Sequence, residues 1–594
     1  MCGIVGFVGK DKNALEVLIN GLKHLEYRGY DSSGIAYINN NDLVIKKEKG
    51  KIINLEKSIN FNDKPTIGIG HTRWATHGEA SKINSHPHNY GKITIVHNGI
   101  IENYLELKEE LINKGYKFKS ETDTEIAAAL LSYFYDLTND MFETIRLFKE
   151  KAVGSYALGI ICEDDVNNLY AVKNGSPLII GIGNDSNYIA SDIHALLDYT
   201  NKYIILKDED FAKINNGVVK VYDKNNELKE NIIKEYKGEK NVNSKDGYDH
   251  FMLKEIYEEP KVLDDTSKVV INKDFSEYKN IVIVACGSAM HAGLVGKYLI
   301  EKYGNKKVDV EIASEFRYKK LFLDKDTLVI GISQSGETAD TLEAIKIAKK
   351  HGCDTLGIIN VEESTIAREV DNVLYTKAGS EIAVATTKAY SAQVLLLSMI
   401  AYNLAKNNDE YKVKKEIVDF MKDLKELPSV VDNILNTLEY KEIAKEIYDK
   451  NDIFFIGRGI DYALAMEGSL KLKEISYIHS EAYPAGELKH GTISLIDNNT
   501  PVIGIVTDKE IYNKTISNLK EVKSRGANVI YITTNNINTI GDFYSKKIVL
   551  KEVNPLLQPL INIIPLQLIS YEVAKLNNCD IDKPKNLAKS VTVE

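Results

Sequence analysis

The stretch MCGIVG, residues 1–6, decides how the N-terminal half of the chain is interpreted. Removal of Met1 would make Cys2 the first residue, carrying both a thiol and a free α-amine. The thiolate is the nucleophile of cysteine chemistry. An α-amine with a pKa of about 7.7–8.0 is able to take the thiol proton near neutrality. Cys2 is therefore a candidate nucleophile, and the alternative is an ordinary buried cysteine that follows the start methionine by chance.

Composition and charge narrow the class of protein. The chain has 594 residues, too many for one hydrophobic core, so about two to four domains are expected. Lys and Arg number 75 against 85 Asp and Glu, a net charge of −10, which argues against a general nucleic-acid or anionic-membrane binder. No apolar run is long enough to span a bilayer, and the N-terminus lacks the pattern of a signal peptide.

The cysteines favour a reducing compartment. They are scattered, odd in number and form no C-x-x-C pair, which is typical of a cytoplasmic protein rather than of a disulfide framework. The five are Cys2, Cys162, Cys286, Cys353 and Cys579.

The first 217 residues alternate short apolar strands with Gly- and Asn-rich turns and a few helices. We expect a strand over residues 4–8, a helix over 13–25 and a helix over 120–133 with an acidic first turn. Strand ends that run into polar loops commonly carry functional residues. Two such ends lead into HTRWATHG at 71–78 and HNG at 97–99.

From about residue 281 the pattern becomes strand, Gly-rich turn, helix and strand, which predicts an α/β fold with a parallel sheet. This half is also internally duplicated, because three apolar strands recur at an offset of about 170–175 residues. We therefore expect two copies of one doubly wound domain. The matched stretches are 281–287 with 453–459, 328–332 with 502–506, and 356–359 with 529–532.

Two segments lie outside these patterns. Residues 218–250 are rich in Lys, Asn and Glu with little periodicity, which indicates a linker or peripheral strands. Residues 408–450 are helical in pattern and join the two copies.

Polar residues of the first half suggest an acyl-transfer site. Asn98 and Gly99 at a strand end offer a side-chain and a backbone N–H, the donors that an oxyanion hole requires. Arg73 and Asp123 have the charges to hold the α-carboxylate and α-ammonium of an amino acid. Trp74, the only tryptophan, is otherwise a core residue. A metal site is the alternative, but the histidine spacing matches no standard zinc pattern; the histidines are His71, His77, His86, His88 and His97.

A second cluster, SQSGET at residues 333–338, follows an apolar strand and precedes a helix. Hydroxyls and backbone N–H groups at a helix N-terminus form an anion site. Glu337 occupies the position of the lysine in a Walker loop, which argues against ATP and leaves a sugar phosphate. The alternative is a simple Ser/Gly cap. The matching turn of the second copy, residues 507–509, lacks the hydroxyl cluster, so only one copy should hold phosphate there.

Two further stretches are ambiguous when considered alone. The carboxylates of residues 467–475 and the histidine of 487–491 would suit proton transfer next to a carbonyl, but the pattern is also that of a charged helix face. The C-terminal residues 585–594 would ordinarily form a frayed tail, whereas a lysine held in a site would be able to form a Schiff base with a sugar ketone.

The chain resembles the glutamine–fructose-6-phosphate aminotransferase (isomerising) family over essentially its whole length. Four motifs match those of the family in the same order: MCGIVG at 1–6, HTRWATHG at 71–78, SQSGET at 333–338 and NLAKSVTVE at 586–594. The resemblance implies an N-terminal nucleophile fold, an α+β αββα sandwich, followed by two α/β doubly wound sugar isomerase (SIS) domains with parallel sheets. The domains implied are a class II glutamine amidotransferase (glutaminase) domain at 2–217, a linker at 218–270, SIS domains at 271–411 and 443–584, and a catalytic tail at 585–594.

The resemblance implies an enzyme that moves the amide nitrogen of L-glutamine to D-fructose 6-phosphate and isomerises the product to D-glucosamine 6-phosphate, for amino-sugar synthesis. It implies no cofactor, no metal, a cytoplasmic location and a homodimer formed through the SIS domains. The competing class is a non-catalytic SIS-type sugar-phosphate sensor, which would need neither Cys2 nor Lys589. Two relatives of the first half are disfavoured, since the chain has neither the phosphoribosyl loop of amidophosphoribosyltransferase nor the ATP loop of asparagine synthetase.

The resemblance also assigns roles to residues. In the first half Cys2 is the nucleophile, Asn98 and Gly99 hold the oxyanion, and Trp74 gates an ammonia channel. In the second half Lys589 forms the imine, Glu474 moves the proton between C1 and C2 with support from Lys471, and His490, from a neighbouring subunit, opens the sugar ring. The glutamine-binding residues implied are Arg73, Thr76, His77, His86 and Asp123. Those implied for the sugar phosphate are Ser288, Ser333, Gln334, Ser335, Thr338, Val384 and Thr386.

Three positions depart from the family pattern. Ser288 and Ala289 stand where Thr and Ser are usual, and Thr386 stands where Ser is usual. Ser288 is thus the only hydroxyl of its pair, so sugar contacts there should change by one hydrogen bond and not in kind.

Overall fold

The computed structural model describes residues 2–10, 12–75, 78–237, 244–406, 410–537 and 541–592. The chain divides into two compact units, one formed by residues 1–243 with 588–594 and the other by 244–587. No helix in the described ranges is long and apolar enough to cross a membrane.

The first unit is built on two antiparallel sheets with helices outside them. An eight-stranded sheet has the order β14-β11-β9-β10-β1-β4-β2-β3, and a six-stranded sheet has the order β13-β12-β8-β7-β6-β5. The strands are β1 Gly3–Gly9, β2 Ser32–Asn39, β3 Asp42–Lys49, β4 Ile67–Arg73, β5 His88–Tyr90, β6 Ile93–Ile101, β7 Gly154–Cys162, β8 Leu169–Asn174, β9 Ile179–Ile182, β10 Ser186–Ala190, β11 Lys202–Ile205, β12 Phe211–Ile214, β13 Val219–Tyr222 and β14 Lys234–Glu235. The helices are α1 Ala14–Leu25, α2 Ile52–Glu56, α3 Tyr104–Asn113, α4 Asp123–Thr138 and α5 Met141–Lys151.

The side chains of β1 alternate between two hydrophobic cores, and this alternation produces the layers of the unit. In β1, Ile4 and Val8 lie in the core between the sheets, while Val5 and Phe7 lie in the core under α1. Successive side chains of a strand point to opposite faces, so one strand serves both cores. In β4, a Cβ at Gly68 would meet Leu18 of α1 at 2.9 Å. Glycine at that position therefore lets the helix approach the sheet.

The helices of this unit begin where the sequence signals predict. Asn13 caps α1, its side chain accepting from the N–H of Leu15. Thr122 caps α4 by accepting from Glu125 N–H, while the Glu125 carboxylate accepts from the N–H groups of Lys119 and Ser120. The Thr122 cap satisfies an N–H group that a helix start leaves unpaired, and Glu125 holds the segment that precedes the helix. The predicted strand at 4–8 and helices at 13–25 and 120–133 are thereby confirmed within a few residues.

The second unit contains two five-stranded parallel sheets, ordered β16-β15-β17-β18-β19 and β21-β20-β22-β23-β24. The strands are β15 Asn280–Ala285, β16 Lys307–Ile312, β17 Thr327–Ser333, β18 Asp354–Ile359, β19 Asn372–Tyr375, β20 Asp452–Gly457, β21 His479–Pro484, β22 Pro501–Val506, β23 Asn528–Thr534 and β24 Lys546–Leu550. The helices are α6 Phe251–Tyr257, α7 Glu259–Ser267, α8 Gly287–Gly304, α9 Ala313–Phe316, α10 Ala339–Lys350, α11 Thr365–Glu369, α12 Lys388–Ala405, α13 Tyr411–Ile417, α14 Phe420–Thr437, α15 Lys441–Ile447, α16 Ile460–Ser476, α17 Tyr512–Lys523 and α18 Gln558–Leu576.

The two sheets share one strand order, which confirms the predicted duplication. β15, β17 and β18 of the first copy correspond to β20, β22 and β23 of the second, as the three sequence matches predict. Strands buried on both faces carry continuous apolar runs. In β15, Ile281 and Ile283 belong to one core, and Val282 and Val284 to the core on the other face.

Candidate functional site

The Cys2 thiol lies at the start of β1, beside the end of β4. Its Sγ accepts from the backbone N–H of Trp74 at 3.3 Å and lies 3.6 Å from the Trp74 carbonyl oxygen. Burial raises the pKa of this thiol. The thiol is consequently protonated near neutral pH, and a base must take its proton before it attacks a carbonyl carbon.

Asn98 and Gly99 lie next to the nucleophile, in β6 of the other sheet. Asn98 is buried, and its Nδ2 donates to the Cys2 carbonyl oxygen at 2.9 Å. Gly99 has φ +125°, and a Cβ there would stand 1.9 Å from the Ser155 carbonyl oxygen. Only glycine fits this position, so the backbone geometry after Asn98 is fixed by the sequence.

The two charges predicted to hold an amino acid are both buried. Arg73 donates to the carbonyl oxygens of Gly78 and Glu79, and Asp123 accepts from the N–H of Ile101 at 2.8 Å. Burial lowers the pKa of Arg73. Two other predicted glutamine-binding residues, Thr76 and His77, lie outside the described residues.

His86, predicted to bind glutamine, has both ring nitrogens engaged within the unit. Its Nδ1 accepts from His97 N–H at 3.4 Å, and its Nε2 lies 3.1 Å from the Thr124 hydroxyl. Burial lowers the pKa of His86 well below its ordinary value. Within the described ranges no three His, Cys, Asp or Glu side chains are grouped as a metal site requires.

The turn at residues 333–338, which was predicted to bind a sugar phosphate, joins β17 to α10. The Ser333 hydroxyl accepts from Gly336 N–H at 3.0 Å and lies 2.8 Å from the Thr338 hydroxyl. Ser335 accepts from Glu337 N–H at 3.1 Å, while Gln334 is half-buried. The hydroxyls thus hold the turn in shape at the N-terminus of a twelve-residue helix.

Two more predicted sugar-phosphate residues lie in the segment that precedes α12. Val384 is buried, and its N–H donates to the Asp582 carbonyl oxygen at 3.0 Å. The Thr386 hydroxyl donates to Glu381, whose carboxylate also accepts from the N–H groups of Thr387 and Ala389. Glu381, which the sequence did not single out, therefore fixes the shape of this segment.

A buried charged cluster joins α8 of the first copy to α16 of the second. The Glu467 carboxylate accepts from the Ser288 hydroxyl at 2.8 Å and lies 2.8 Å from His291 Nδ1. Lys471 Nζ lies 3.5 Å from Glu467 and 2.7 Å from Glu474. Burial alone would lower the pKa of Lys471, but Glu474 and Glu467 more than offset it and raise that pKa.

The cluster separates buried from accessible groups. Glu467 and Lys471 side chains are 1% exposed, whereas the Glu474 side chain is 20% exposed. His490, at the end of a short helical turn over Glu487–His490, is exposed. Sequence reasoning missed His291, because its partner Glu467 lies 176 positions along the chain.

The C-terminal tail is not frayed over its described residues. Ser590 and Thr592 are buried, and Lys589 is half-buried within the first unit. The described part of the tail is therefore packed, unlike a typical chain end.

Comparison with known proteins defines the class. A glutamine amidotransferase domain model matches residues 71–198, and an SIS domain model matches twice, at 274–402 and 446–576. The C-terminal domain of glucosamine-fructose-6-phosphate aminotransferase from Francisella tularensis aligns with 57% of this chain and 99% of its own, with 41% identity and a TM-score of 0.54. The protein is thus a glutamine amidotransferase joined to two SIS domains, which confirms the predicted fold class.

Full-length relatives identify the family. Glutamine–fructose-6-phosphate aminotransferase (isomerising) from Clostridium tetani is 48% identical, and the protein of the same name from Methanosarcina mazei is 43% identical, each alignment covering 100% of both chains. This chain belongs to the glutamine–fructose-6-phosphate aminotransferase (isomerising) family.

Proposed function

We propose that this protein is an enzyme that transfers the amide nitrogen of L-glutamine to D-fructose 6-phosphate and isomerises the product, giving D-glucosamine 6-phosphate and L-glutamate. The observation that carries this is that one chain of this family contains both a cysteine whose carbonyl oxygen accepts from the Asn98 amide and a hydroxyl-lined strand-to-helix turn. The alternative, a non-catalytic sugar-phosphate sensor, assigns no role to the contact between Cys2 and Asn98.

Glutamine hydrolysis is assigned to the first unit. The α-amine of Cys2, free once Met1 is removed, takes the thiol proton, and the sulfur attacks the side-chain amide carbon. Asn98 Nδ2–H and Gly99 N–H stabilise the oxyanion, which collapses to a thioester and releases ammonia. Water then cleaves the thioester to glutamate. Arg73 and Asp123, with Thr76, His77 and His86, are proposed to hold the amino-acid end of the substrate.

Sugar binding is assigned to the second unit. Ser333, Ser335 and Thr338, with Gln334, are proposed to bind the phosphate, supported by their position at the N-terminus of α10. Ser288, Val384 and Thr386 are proposed to contact the sugar. The hydrogen bonds of Ser288 to Glu467 and of Thr386 to Glu381 mean that these two hydroxyls would act as acceptors toward a ligand.

The carbonyl chemistry needs an amine and a base. The Lys589 amine is proposed to condense with the C2 carbonyl with loss of water, after which ammonia replaces Lys589 at C2. Glu474 then takes a proton from C1 and returns one to C2, which converts the imine to an amino-aldose. Lys471, 2.7 Å from Glu474, supports the ionised carboxylate that this step requires. His490, from a second subunit, is proposed to open the sugar ring.

Several finer features remain part of this proposal. They are a glutaminase domain at 2–217, a linker at 218–270, SIS domains at 271–411 and 443–584, a catalytic tail at 585–594, an ammonia channel gated by Trp74, a homodimer through the SIS domains and a cytoplasmic location. The strands β13 and β14 and the helices α6 and α7 supply the structure of the 218–270 segment that lies within the described residues.

The test is product analysis with both substrates and with each one alone. We expect one glucosamine 6-phosphate for each glutamate formed, and the amide ¹⁵N of labelled glutamine in the sugar product. Tight binding of fructose 6-phosphate with no product and no glutamate would instead establish the sensor.

A further inference from the structure

His71 contacts the amide of Asn98 on the side away from the nucleophile. Asn98 Nδ2 lies 2.9 Å from the Cys2 carbonyl oxygen, and Asn98 Oδ1 lies 3.0 Å from His71 Nε2. A carbonyl oxygen only accepts hydrogen bonds, so the NH₂ end of the amide must face Cys2. The oxygen end must then face His71.

The same contacts determine the tautomer of His71. Its Nε2 faces two acceptors, Asn98 Oδ1 and the His97 carbonyl oxygen at 2.9 Å, so this nitrogen carries the proton. Nδ1 is then the unprotonated nitrogen, and among the described residues it is buried without a hydrogen-bond partner. Burial lowers the pKa of His71 to about 3, so the ring is neutral over the working range of an enzyme.

The ring is held rigidly. His71 lies in the middle of β4, paired with Ile4 of β1 and Gly34 of β2, and is fully buried. It stacks on His86 with ring centroids 4.1 Å apart. His86 is in turn fixed by His97 N–H, so the donor at Nε2 has little freedom to move.

We propose that His71 is a positioning residue for glutamine hydrolysis. Its Nε2–H holds Oδ1 of Asn98 and so keeps the NH₂ end of the amide toward Cys2. One N–H of that end donates to the Cys2 carbonyl oxygen, and the other is left to donate to the oxyanion. An amide free to rotate would at times present its oxygen to the oxyanion, which repels it. A donor that is fixed in advance costs no reorganisation when charge develops. This inference rests on the proposed glutaminase reaction and deepens it.

The test compares two substitutions of one residue. His71→Phe keeps a flat ring without a donor, whereas His71→Gln returns an N–H near the position of Nε2. We expect His71→Phe to lower kcat for glutamine hydrolysis by about tenfold to a hundredfold with KM changed less than about threefold, and His71→Gln to recover most of the loss. His88→Gln, a change in a buried histidine bonded to Thr122, is the matched control and should keep kcat within about threefold. Equal losses in His71→Phe and His88→Gln would overturn the proposal.

A double-mutant cycle separates positioning from general damage. In an Asn98→Ala background His71→Phe should change kcat by less than about twofold, because no amide remains to orient. Alkylation of Cys2 by iodoacetamide forms no oxyanion and should proceed at the wild-type rate in His71→Phe. Additive losses in the cycle, or a parallel fall in alkylation, would overturn the proposal.

A measurement on the unmodified enzyme covers the case in which His71→Phe does not fold. Imidazole ¹⁵N shifts of the full chain, with His71→Gln used for assignment, should show an Nε2–H tautomer that does not titrate above pH 5. An Nδ1–H tautomer, or titration near pH 6.5, would refute the inference. Wild-type protein that forms no glutamate would instead refute the proposed function, so the two failures are distinguishable.

Discussion

Nζ of Lys471 lies 2.7 Å from Oε2 of Glu474, one turn further along α16. Lys471 thereby lies between two carboxylates, the buried Glu467 and the more accessible Glu474. Glu467 holds the lysine from the buried side, so the ammonium remains charged while it supports Glu474. A carboxylate stabilised on one face and accessible on the other suits reversible proton transfer to a bound substrate.

Glu474→Gln tests that role. We expect loss of glucosamine 6-phosphate formation by at least about a hundredfold, because the amide cannot accept a proton from C1. Glutamine hydrolysis should remain measurable. Exchange of the C1 hydrogen of fructose 6-phosphate with deuterated solvent, followed by NMR, is the direct measurement. Lys473→Met, an exposed change on the same helix, is the control and should exchange normally; normal exchange in Glu474→Gln would remove the assignment.

The strands and their faces could be predicted from sequence because burial leaves a pattern with a period of two residues. Ile4 and Val8 face one core and Val5 and Phe7 the other, as alternating burial requires. The position of the turn at residues 333–338 was also predictable, since a polar run directly after a buried strand falls at the carboxyl edge of the sheet.

Contacts between distant segments were not predictable. From the sequence, Ser288 was predicted only as a sugar ligand, whereas in the structure its hydroxyl donates to Glu467, 179 positions further along the chain. His71 was considered only as part of a possible metal cluster, although its Nε2 lies 3.0 Å from Oδ1 of Asn98. Neither pairing has a local spacing rule, because both depend on how separate strands and helices pack.

Cys2→Ala should abolish glutamine hydrolysis and leave synthesis from free ammonia measurable. The physical reason is that the thiol is the nucleophile assigned to glutamine hydrolysis, while the sugar chemistry is assigned to other residues. Glutamate release and glucosamine 6-phosphate formation are measured with glutamine and then with ammonium chloride. Cys579→Ala, half-buried in the second unit, is the control. Loss of the ammonia-dependent reaction in Cys2→Ala would contradict two separate sites.

Gly336→Ala should disrupt the turn at residues 333–338, which we propose to bind the phosphate. Gly336 has φ +65°, and a Cβ there would lie 1.9 Å from the Ser364 hydroxyl oxygen. We expect KM for fructose 6-phosphate to rise about tenfold or more and the free energy of unfolding to fall by about 1–3 kcal/mol. Gly352→Ala is the matched control, because Gly352 has φ +78° at the other end of α10 with nothing within 4 Å of its Cβ. It should lose stability without a change in KM, and an equal rise of KM in both variants would refute the assignment.

Glu259 should make the stability of the protein depend on pH. The residue is fully buried, its carboxyl accepts from the Ser391 hydroxyl at 2.7 Å, and burial raises its pKa from 4.5 to about 8. The folded state therefore holds a proton that the unfolded state releases, so stability falls as pH rises from 4.5 to about 8. The difference in free energy of unfolding between Glu259→Gln and the wild type should shift in favour of the variant between pH 5 and pH 8, by up to about 4 kcal/mol. Thermal unfolding of the wild type and the variant at both pH values measures this difference. Glu439→Gln, a change of an exposed carboxylate, is the control. A stability difference between Glu259→Gln and the wild type that does not change with pH would show that Glu259 is ionised in the folded state.

Lys589→Arg tests which lysine forms the imine. Arginine keeps the charge and much of the length, but it stays protonated and offers no lone pair for attack on a carbonyl carbon. Lysine is able to lose its proton when it is desolvated, which a nucleophilic amine requires. Since Lys589 is only half-buried, the substitution should change the melting temperature little.

Borohydride reduction in the presence of fructose 6-phosphate traps a lysine imine as a stable amine. The wild type should carry one sugar adduct, mapped by peptide mass spectrometry to Lys589, and Lys589→Arg should carry none and make no glucosamine 6-phosphate. Lys585→Arg is the matched control, since Lys585 is exposed four residues earlier, and it should be labelled at Lys589 as in the wild type. Lys471 is the informative alternative, because its pKa is raised by two carboxylates and a protonated amine does not attack. An adduct on Lys471, or full activity in Lys589→Arg, would show that the proposal assigns the imine to the wrong lysine.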